Sequence, residues 1–369
     1  MEDNNDIIPI GQMIFILVLT MVGTGILTLP RDLAEAVPHD HWLVLLAGGG
    51  AAIASTFIHG NIIKLQPREQ FFDVLSHGFT RPVAYVLGAI YMLYFLTFCA
   101  LVTRVFGEVM KAFLFKNTPI EVINVSFLAA SVYLGRKGIE VLGRVLEFLI
   151  PLLILFIVFI FGLSFIRSDL YNLLPTFQIS FNEFIKGIPT TILSFAGYEI
   201  LLVFGPYLKK PKDATKGYIA VVSVLIFYLL ITTATLAQFG PLQVKRLLWP
   251  TLDLFDTIET PGLFIENVQV IVMTLWVLTA FTTASPFHLG ATIMLKSLTK
   301  SKDQAYLSAP LLPIIYFVSI IPESVSETYE FLKACTRYGT TALVFVVPLL
   351  LLISLLIQDK MKKGARSNV

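Results

Sequence analysis

The feature that most constrains this chain is a succession of apolar runs of about 20 residues or more, each bounded by charged residues. A helix of that length crosses a hydrocarbon core of about 30 Å. Lipid offers no partner to a backbone N–H or C=O, so a spanning segment must be a helix or a strand of a closed barrel. These runs are too long and too uniformly apolar for barrel strands. Composition points the same way. Of 369 residues, 56% are hydrophobic and 14% are charged, against about 25% charged in soluble domains. That leaves too little polar surface to coat a globule in water, and the mean hydropathy is +0.79.

The runs read as ten spans, at roughly 10–36, 40–64, 82–114, 119–135, 140–166, 183–208, 214–239, 264–295, 305–321 and 339–357. The loops are short, so a single transmembrane domain is expected over 1–369, with halves at about 10–166 and 183–357 and a tail at 358–369. The segment 322–339 is acidic and amphipathic, which predicts a helix lying along the interface before the last span. Lys and Arg total 27. With the N-terminus in the cytoplasm, 17 fall in inner segments, 9 in outer segments, and Arg104 lies within a span. That bias predicts both termini inside. The basic residues of the tail, Lys360, Lys362, Lys363 and Arg366, would then face anionic lipid. The acidic N-terminus lacks the positive region of a cleaved signal, so the first run is expected to remain as a span.

Several function classes find no support. A formal charge of +2, with no basic tract interleaved with aromatics, gives no nucleic-acid footprint. Cys99 and Cys335 give no disulfide framework. Phosphate-binding loops, nucleophile elbows and zinc spacings are absent from the sequence, so no catalytic residue, cofactor or metal is assigned. The loop cluster His39-Asp40-His41 has no further ligand nearby, and His59 and His288 read as packing histidines.

Two spans are interrupted. The first reads Thr20-Met21-Val22-Gly23-Thr24-Gly25-Ile26-Leu27, and the sixth reads Ser194-Phe195-Ala196-Gly197-Tyr198-Glu199. They lie five spans apart, so the halves they open would have opposite topology. Paired interruptions of this kind point to a ligand site between inverted repeats, although glycine also serves merely to let helices approach. Without a Cβ, Gly23 and Gly25 let the backbone leave the helix at low cost. The N–H groups of Gly25, Ile26 and Leu27 would then face a cavity at a half-helix N-terminus, which suits a carboxylate. The carbonyls of Val22 and Gly23 would suit an ammonium or a cation. Ala196 and Gly197 repeat the arrangement, with Phe195 and Tyr198 as walls. On this reading Gly25→Val fills the cavity.

Glu199 follows the second break. A carboxylate at membrane depth costs about 2.5–3.5 kcal/mol. Three roles are compatible with it: holding a substrate ammonium, exchanging a proton, or capping a helix. In the third span Tyr91, Tyr94 and Phe98 share one helical face, as packing or as pocket wall, and the two hydroxyls need partners. Arg104 and Glu108, four residues apart, form the expected neutralising pair. The eighth span carries Thr279, Thr282, Thr283, Ser285 and His288 around Pro286. Its hydroxyls either complete a sodium site with carbonyls of a broken helix or bond the preceding turn.

The stretch Gly23 to Pro30 resembles the opening motif of the amino acid–polyamine–organocation transporter superfamily. Three later stretches resemble the B subunits of bacterial spore germinant receptors. They are Gly197 to Leu201 followed by Pro206-Tyr207-Leu208-Lys209-Lys210-Pro211-Lys212, Leu248-Trp249-Pro250-Thr251-Leu252-Asp253, and Pro261 to Glu266 with Trp276. The resemblance implies an all-α integral membrane fold of inverted five-plus-five, LeuT-like design, broken at spans one and six. It implies a place in the spore inner membrane beside an A subunit and a lipoprotein C subunit. It further implies a small nutrient ligand, an amino acid or a sugar; the few polar groups favour an amino acid. Carried over by position, the ligand residues are Thr24, Gly25, Ile26, Tyr91, Tyr94, Phe98, Gly197, Tyr198, Glu199 and Thr282 or Thr283, to which the sixth-span break adds Phe195. The alternative is a proton- or sodium-coupled amino acid transporter. Two departures bear on it: Asn267 stands where the family often has Arg, and the fifth span lacks the lysine of proton-coupled relatives.

Overall fold

The computed structural model describes residues 6–37, 39–256 and 268–367. Five helices are long and apolar enough to cross a membrane, and two bent helix pairs bring the number to seven. The bent pairs are the two interrupted spans. Ile10–Met21 and Gly25–Ala36 meet at 56°, and Phe181–Phe195 and Ile200–Tyr207 meet at 41°. The remaining spans start from His41–Leu65, Arg81–Phe113 and the shorter Ile120–Gly135. Ile139–Arg167, Tyr218–Val244 and Val268–Thr299 follow, and the ninth is the pair Gln304–Ser308 and Leu311–Ser319.

The tenth differs from expectation. Val325–Ala334 runs without a gap into a π-helical stretch, Cys335–Val346, and on into Val347–Ser367. The segment expected to lie on the interface is therefore the first part of the last span. Its Thr328, Tyr329 and Leu332 are buried, and Trp249 donates to the Tyr329 hydroxyl at 3.0 Å. Amphipathicity marks a helix face without saying which surface covers it. The motif Pro261 to Glu266, together with Asn267, lies outside the described residues.

Spans three and eight pack against each other along their length. Aromatic side chains fill the contact: Phe287 lies 5.3 Å from Phe98 and 6.2 Å from Phe95 between ring centroids. Arg104 meets Glu108 at 2.8 Å, as expected of a neutralised pair, and also donates to the Glu323 carbonyl at 3.3 Å. At the N-terminal face a short bridge joins the two broken spans. The Ile8 N–H donates to the Tyr207 carbonyl at 2.9 Å, and the Lys209 N–H donates to the Ile8 carbonyl at 2.9 Å.

The opposite face is held by a loop residue. Asp40 precedes the second span in a left-handed conformation, and its carboxylate accepts from the N–H groups of Phe177, Gln178 and Ile179 at 2.7, 2.6 and 3.1 Å. The next residue, Ser180, opens the sixth span with a capping box to Glu183. Burial works to raise the Asp40 carboxyl, but the three N–H bonds outweigh it and hold the group below the usual carboxylate range. A depressed carboxyl contributes stability that is complete above its unfolded titration and drains away as pH falls through the folded one. Asp40→Ala should cost about 1–3 kcal/mol, because three backbone N–H groups lose a charged acceptor. Asp40→Asn should flatten the acid limb of the stability profile. Thermal melting of the detergent-solubilised chain from neutral to acid pH checks both; unchanged melting in both variants would discard this tie.

Candidate ligand site at the helix breaks

The two breaks touch each other. A Cβ on Gly25 would stand 2.8 Å from the Ser194 Cα, and a Cβ on Gly197 would stand 2.9 Å from Thr20 Cγ2 and 3.1 Å from the Thr20 carbonyl carbon. Gly197 also has φ +126°, a conformation that side-chain-bearing residues rarely adopt. Each break therefore packs its glycine against the last helical turn before the other break. Gly23 faces Thr283, whose Oγ1 would lie 2.0 Å from an added Cβ. Gly25→Val would thus push the broken spans apart rather than fill a cavity. Close backbone approach cannot be told from an open pocket by a glycine in the sequence.

Side chains from other segments claim carbonyls that flank both breaks, though, among the described residues, not those of Val22 and Gly23. The single hydroxyl hydrogen of Tyr228, in span seven, is shared between the carbonyls of Met21 at 2.8 Å and Ser194 at 2.7 Å, so one side chain joins both breaks. Thr283 donates to the Leu19 carbonyl at 3.0 Å, and Thr251 to the Ile26 carbonyl at 2.7 Å. The Leu27 N–H, expected to be free, is bonded to the Thr24 carbonyl at 3.2 Å in a tight turn. Thr282 bonds back to the Thr279 carbonyl at 2.9 Å, the bland option for a span-eight hydroxyl. Among the described residues no three His, Cys, Asp or Glu side chains cluster as metal ligands.

Glu199 is wholly buried. One carboxylate oxygen accepts from the Tyr94 hydroxyl at 2.7 Å and the other from the Gly197 N–H at 2.7 Å. The carboxylate caps its own break, and among the described residues it has no ion-pair partner. Each oxygen retains capacity for a further donor. Tyr94 also lies 3.0 Å from the Thr340 hydroxyl, which carries the network into the π-helical stretch of span ten.

The remaining expected residues divide into two sets. Thr24, Gly25, Ile26, Phe195, Ala196 and Gly197 are buried at the breaks, and Phe195 packs on Tyr228 with ring centroids 5.4 Å apart. Phe98 packs between Tyr94 and Phe287. Tyr91 lies farther along the same face and donates to the Leu343 carbonyl of span ten. Tyr198 packs on His59 with centroids 5.6 Å apart, and its hydroxyl lies beside Ser55. His59 and Ser55 both reach the Val344 carbonyl, at 3.0 and 2.9 Å. His288 reaches the Ser308 carbonyl at 3.2 Å. Sequence reasoning did not find Tyr228, Thr251, Ser55 or Thr340. Tyr228 alone carried a usable signal: a hydroxyl within an apolar run, the same sign that drew attention to Tyr91 and Tyr94.

An all-helical bundle with two opposed broken spans defines a membrane protein of LeuT-like fold. The crystal structure of MhsT in complex with L-phenylalanine matches it with a TM-score of 0.67 over 93% of this chain and 94% of that one, at 15% identity. That likeness speaks for the fold alone. The family model for the spore germination protein family matches residues 7–328, and the chain belongs to that family. Spore germination protein B2 of Bacillus subtilis (strain 168) is 26% identical over 361 residues, covering 96% of each chain. Spore germination protein A2 of the same organism is 31% identical over 278 residues, covering 74% of this chain and 75% of that one.

Tyr228→Phe removes the donor to both break carbonyls. In a membrane protein such bonds are worth about 1 kcal/mol. Amide hydrogen exchange should rise at residues 21–25 and 194–199 in this variant, and stay unchanged in Tyr338→Phe, where the tyrosine is 71% exposed. Equal exchange in both variants would remove Tyr228 from the account.

Proposed function

We propose that this chain is the ligand-sensing transmembrane subunit of a spore germinant receptor, binding a small nutrient where the two broken spans meet. The observation that carries the reading is Glu199, a buried carboxylate at the second break with no cation beside it among the described residues. Such a group is costly in a membrane and usually functional. A nutrient ammonium, approaching as a further donor, supplies the missing charge. Through Tyr94 and Thr340 its arrival bears on the last span, and through Gly197 on the first. Ligand shifts the balance between two arrangements of the broken spans by its differential affinity for them. An A subunit and a lipoprotein C subunit read that shift in the spore inner membrane, with both termini of this chain in the cytoplasm as the Lys and Arg bias implies.

Exchanging this chain between two receptors of different nutrient specificity tests the proposal. The nutrient response should travel with the chain. Glu199→Gln should raise the nutrient concentration needed for half-maximal germination by at least about tenfold, the equivalent of about 1.4 kcal/mol, at normal protein amounts in the membrane. Specificity that stays with the other subunits would overturn the reading. An unchanged response in Glu199→Gln would leave the carboxylate as a helix cap only.

A coupled amino acid transporter is the second reading, favoured by the buried Glu199 carboxylate, which a coupling proton could neutralise in place of an ammonium. Uptake of labelled amino acid by vesicles containing the purified chain alone would support it.

A further inference from the structure

Spans two, six and ten all run inward from the face opposite the N-terminus, and two adjoining hollows lie along them. The outer one, about 750 Å³, is a vestibule between spans one, six and ten at that face. Its charged lining is Asp32, Glu35, Lys186, Lys333 and Arg337. Both acids are matched by cations. Asp32 meets Lys333 at 2.8 Å, and Arg31 stands 3.8 Å from Glu35 and 4.0 Å from Asp32. Lys186 and Arg337 are exposed and, among the described residues, form no ion pair. The Arg337 guanidinium only stands over the Tyr338 ring, 5.8 Å from its centroid. The vestibule thus presents two cations without an anion.

The inner hollow, about 180 Å³, is a groove between spans two, six and ten. Ala51 and Thr341 on its rim are exposed, so the groove opens to the lipid side of the bundle. Ile188, Ile192, Phe195 and Phe345 give it apolar walls. Ile192 lines both hollows, so the charged vestibule continues into the groove along span six. Lys186 and Phe195 lie about 14 Å apart along that span, at 1.5 Å per helical residue. One leaflet contributes about 15 Å of the hydrocarbon core. A basic end at the membrane surface, joined to an apolar slot one leaflet deep, has the outline of a single amphiphile.

We infer that vestibule and groove together hold one anionic phospholipid from the leaflet opposite the N-terminus. Its phosphate lies between Lys186 and Arg337, and one acyl chain runs past Ile192 into the groove. A zwitterionic lipid brings a cation of its own and neutralises the pair less well. A soluble anion would use the vestibule and leave the groove bare. A helix of a neighbouring subunit, about 10 Å across, would cover the groove and give no reason for the two unpaired cations. The chain in the groove touches Phe195 at the second break and Phe345 in the π-helical stretch of span ten, so the lipid packs against both elements. The inference is independent of which solute the protein binds.

Native mass spectrometry of the full-length chain in detergent, offered equimolar phosphatidylglycerol and phosphatidylcholine, measures the preference. Phosphatidylglycerol should be retained at least about tenfold over phosphatidylcholine, as two cations near a lipid surface allow. Lys186→Gln combined with Arg337→Gln should bring the ratio close to one, while Lys111→Gln, on span three at the same face, should leave it unchanged. Ala51→Phe, which fills the groove, should lower retention of both lipids. If that variant fails to accumulate, the exposed Lys186 and Arg337 substitutions carry the test. No preference in the wild type, or a preference that survives the double substitution, would overturn the assignment. Displacement of phosphatidylglycerol by millimolar inorganic phosphate would also overturn it, leaving a plain anion site. In membranes containing the complete receptor, phosphatidylglycerol with a photoreactive acyl chain should label residues within 188–195 and 341–345. Labelling there in the purified chain but not in the receptor would mean that a partner helix closes the groove, and the lipid assignment would fall.

Discussion

Peptide groups released inside a membrane must find partners within the protein, because lipid supplies none. Two helices in this chain stop and restart at mid-bundle, and everything around them is arranged to meet that requirement. Tyr228 takes one carbonyl from each break. Thr283 and Thr251 take the carbonyls of Leu19 and Ile26. The Gly197 N–H is taken by Glu199. Contributions come from spans six, seven and eight and from the short helix Pro250–Asp256. The breaks are thus held by tertiary bonds, and they persist only while those spans stay in place.

The bonding follows the inverted repeat. Spans one and six are counterparts, as are spans three and eight. Span eight serves the first break through Thr283, and span three serves the second through Tyr94 and Glu199. The glycines reciprocate as well, each lying against the turn that precedes the opposite break. The symmetry is incomplete in one informative respect. The first break is satisfied by neutral hydroxyls, while the second contains a carboxylate. A buried charge is retained at a cost, so the second break is where a charged ligand or a proton would change the energy most.

Span ten gives that change somewhere to go. Its π-helical stretch, Cys335–Val346, accepts bonds from Tyr91, Ser55 and His59, and its Thr340 touches Tyr94. π-Helical turns are uncommon and are found mostly at functional sites. Here spans two and three grip this stretch from two sides, and the acidic residue at the sixth-span break is two hydrogen bonds away.

Sequence alone determined the membrane class, the two broken spans and the equivalence of the halves, because apolar length and paired glycines are local signals that survive without contacts. It also singled out Glu199, since a carboxylate in an apolar run stands out in one dimension. What it left undecided was what each group touches. Gly25 read as the edge of a cavity and proved to be a contact with Ser194; Tyr91 read as either packing or pocket wall and bonds span ten; residues 322–339 read as an interfacial helix and open the last span. Tyr228, placed more than 30 residues from the nearer break it serves, announced only that it needed a partner. Tertiary structure settled these points because hydrogen bonds and close packing are pairwise in space. A sequence states which groups require satisfaction, and only the assembled bundle states which group provides it.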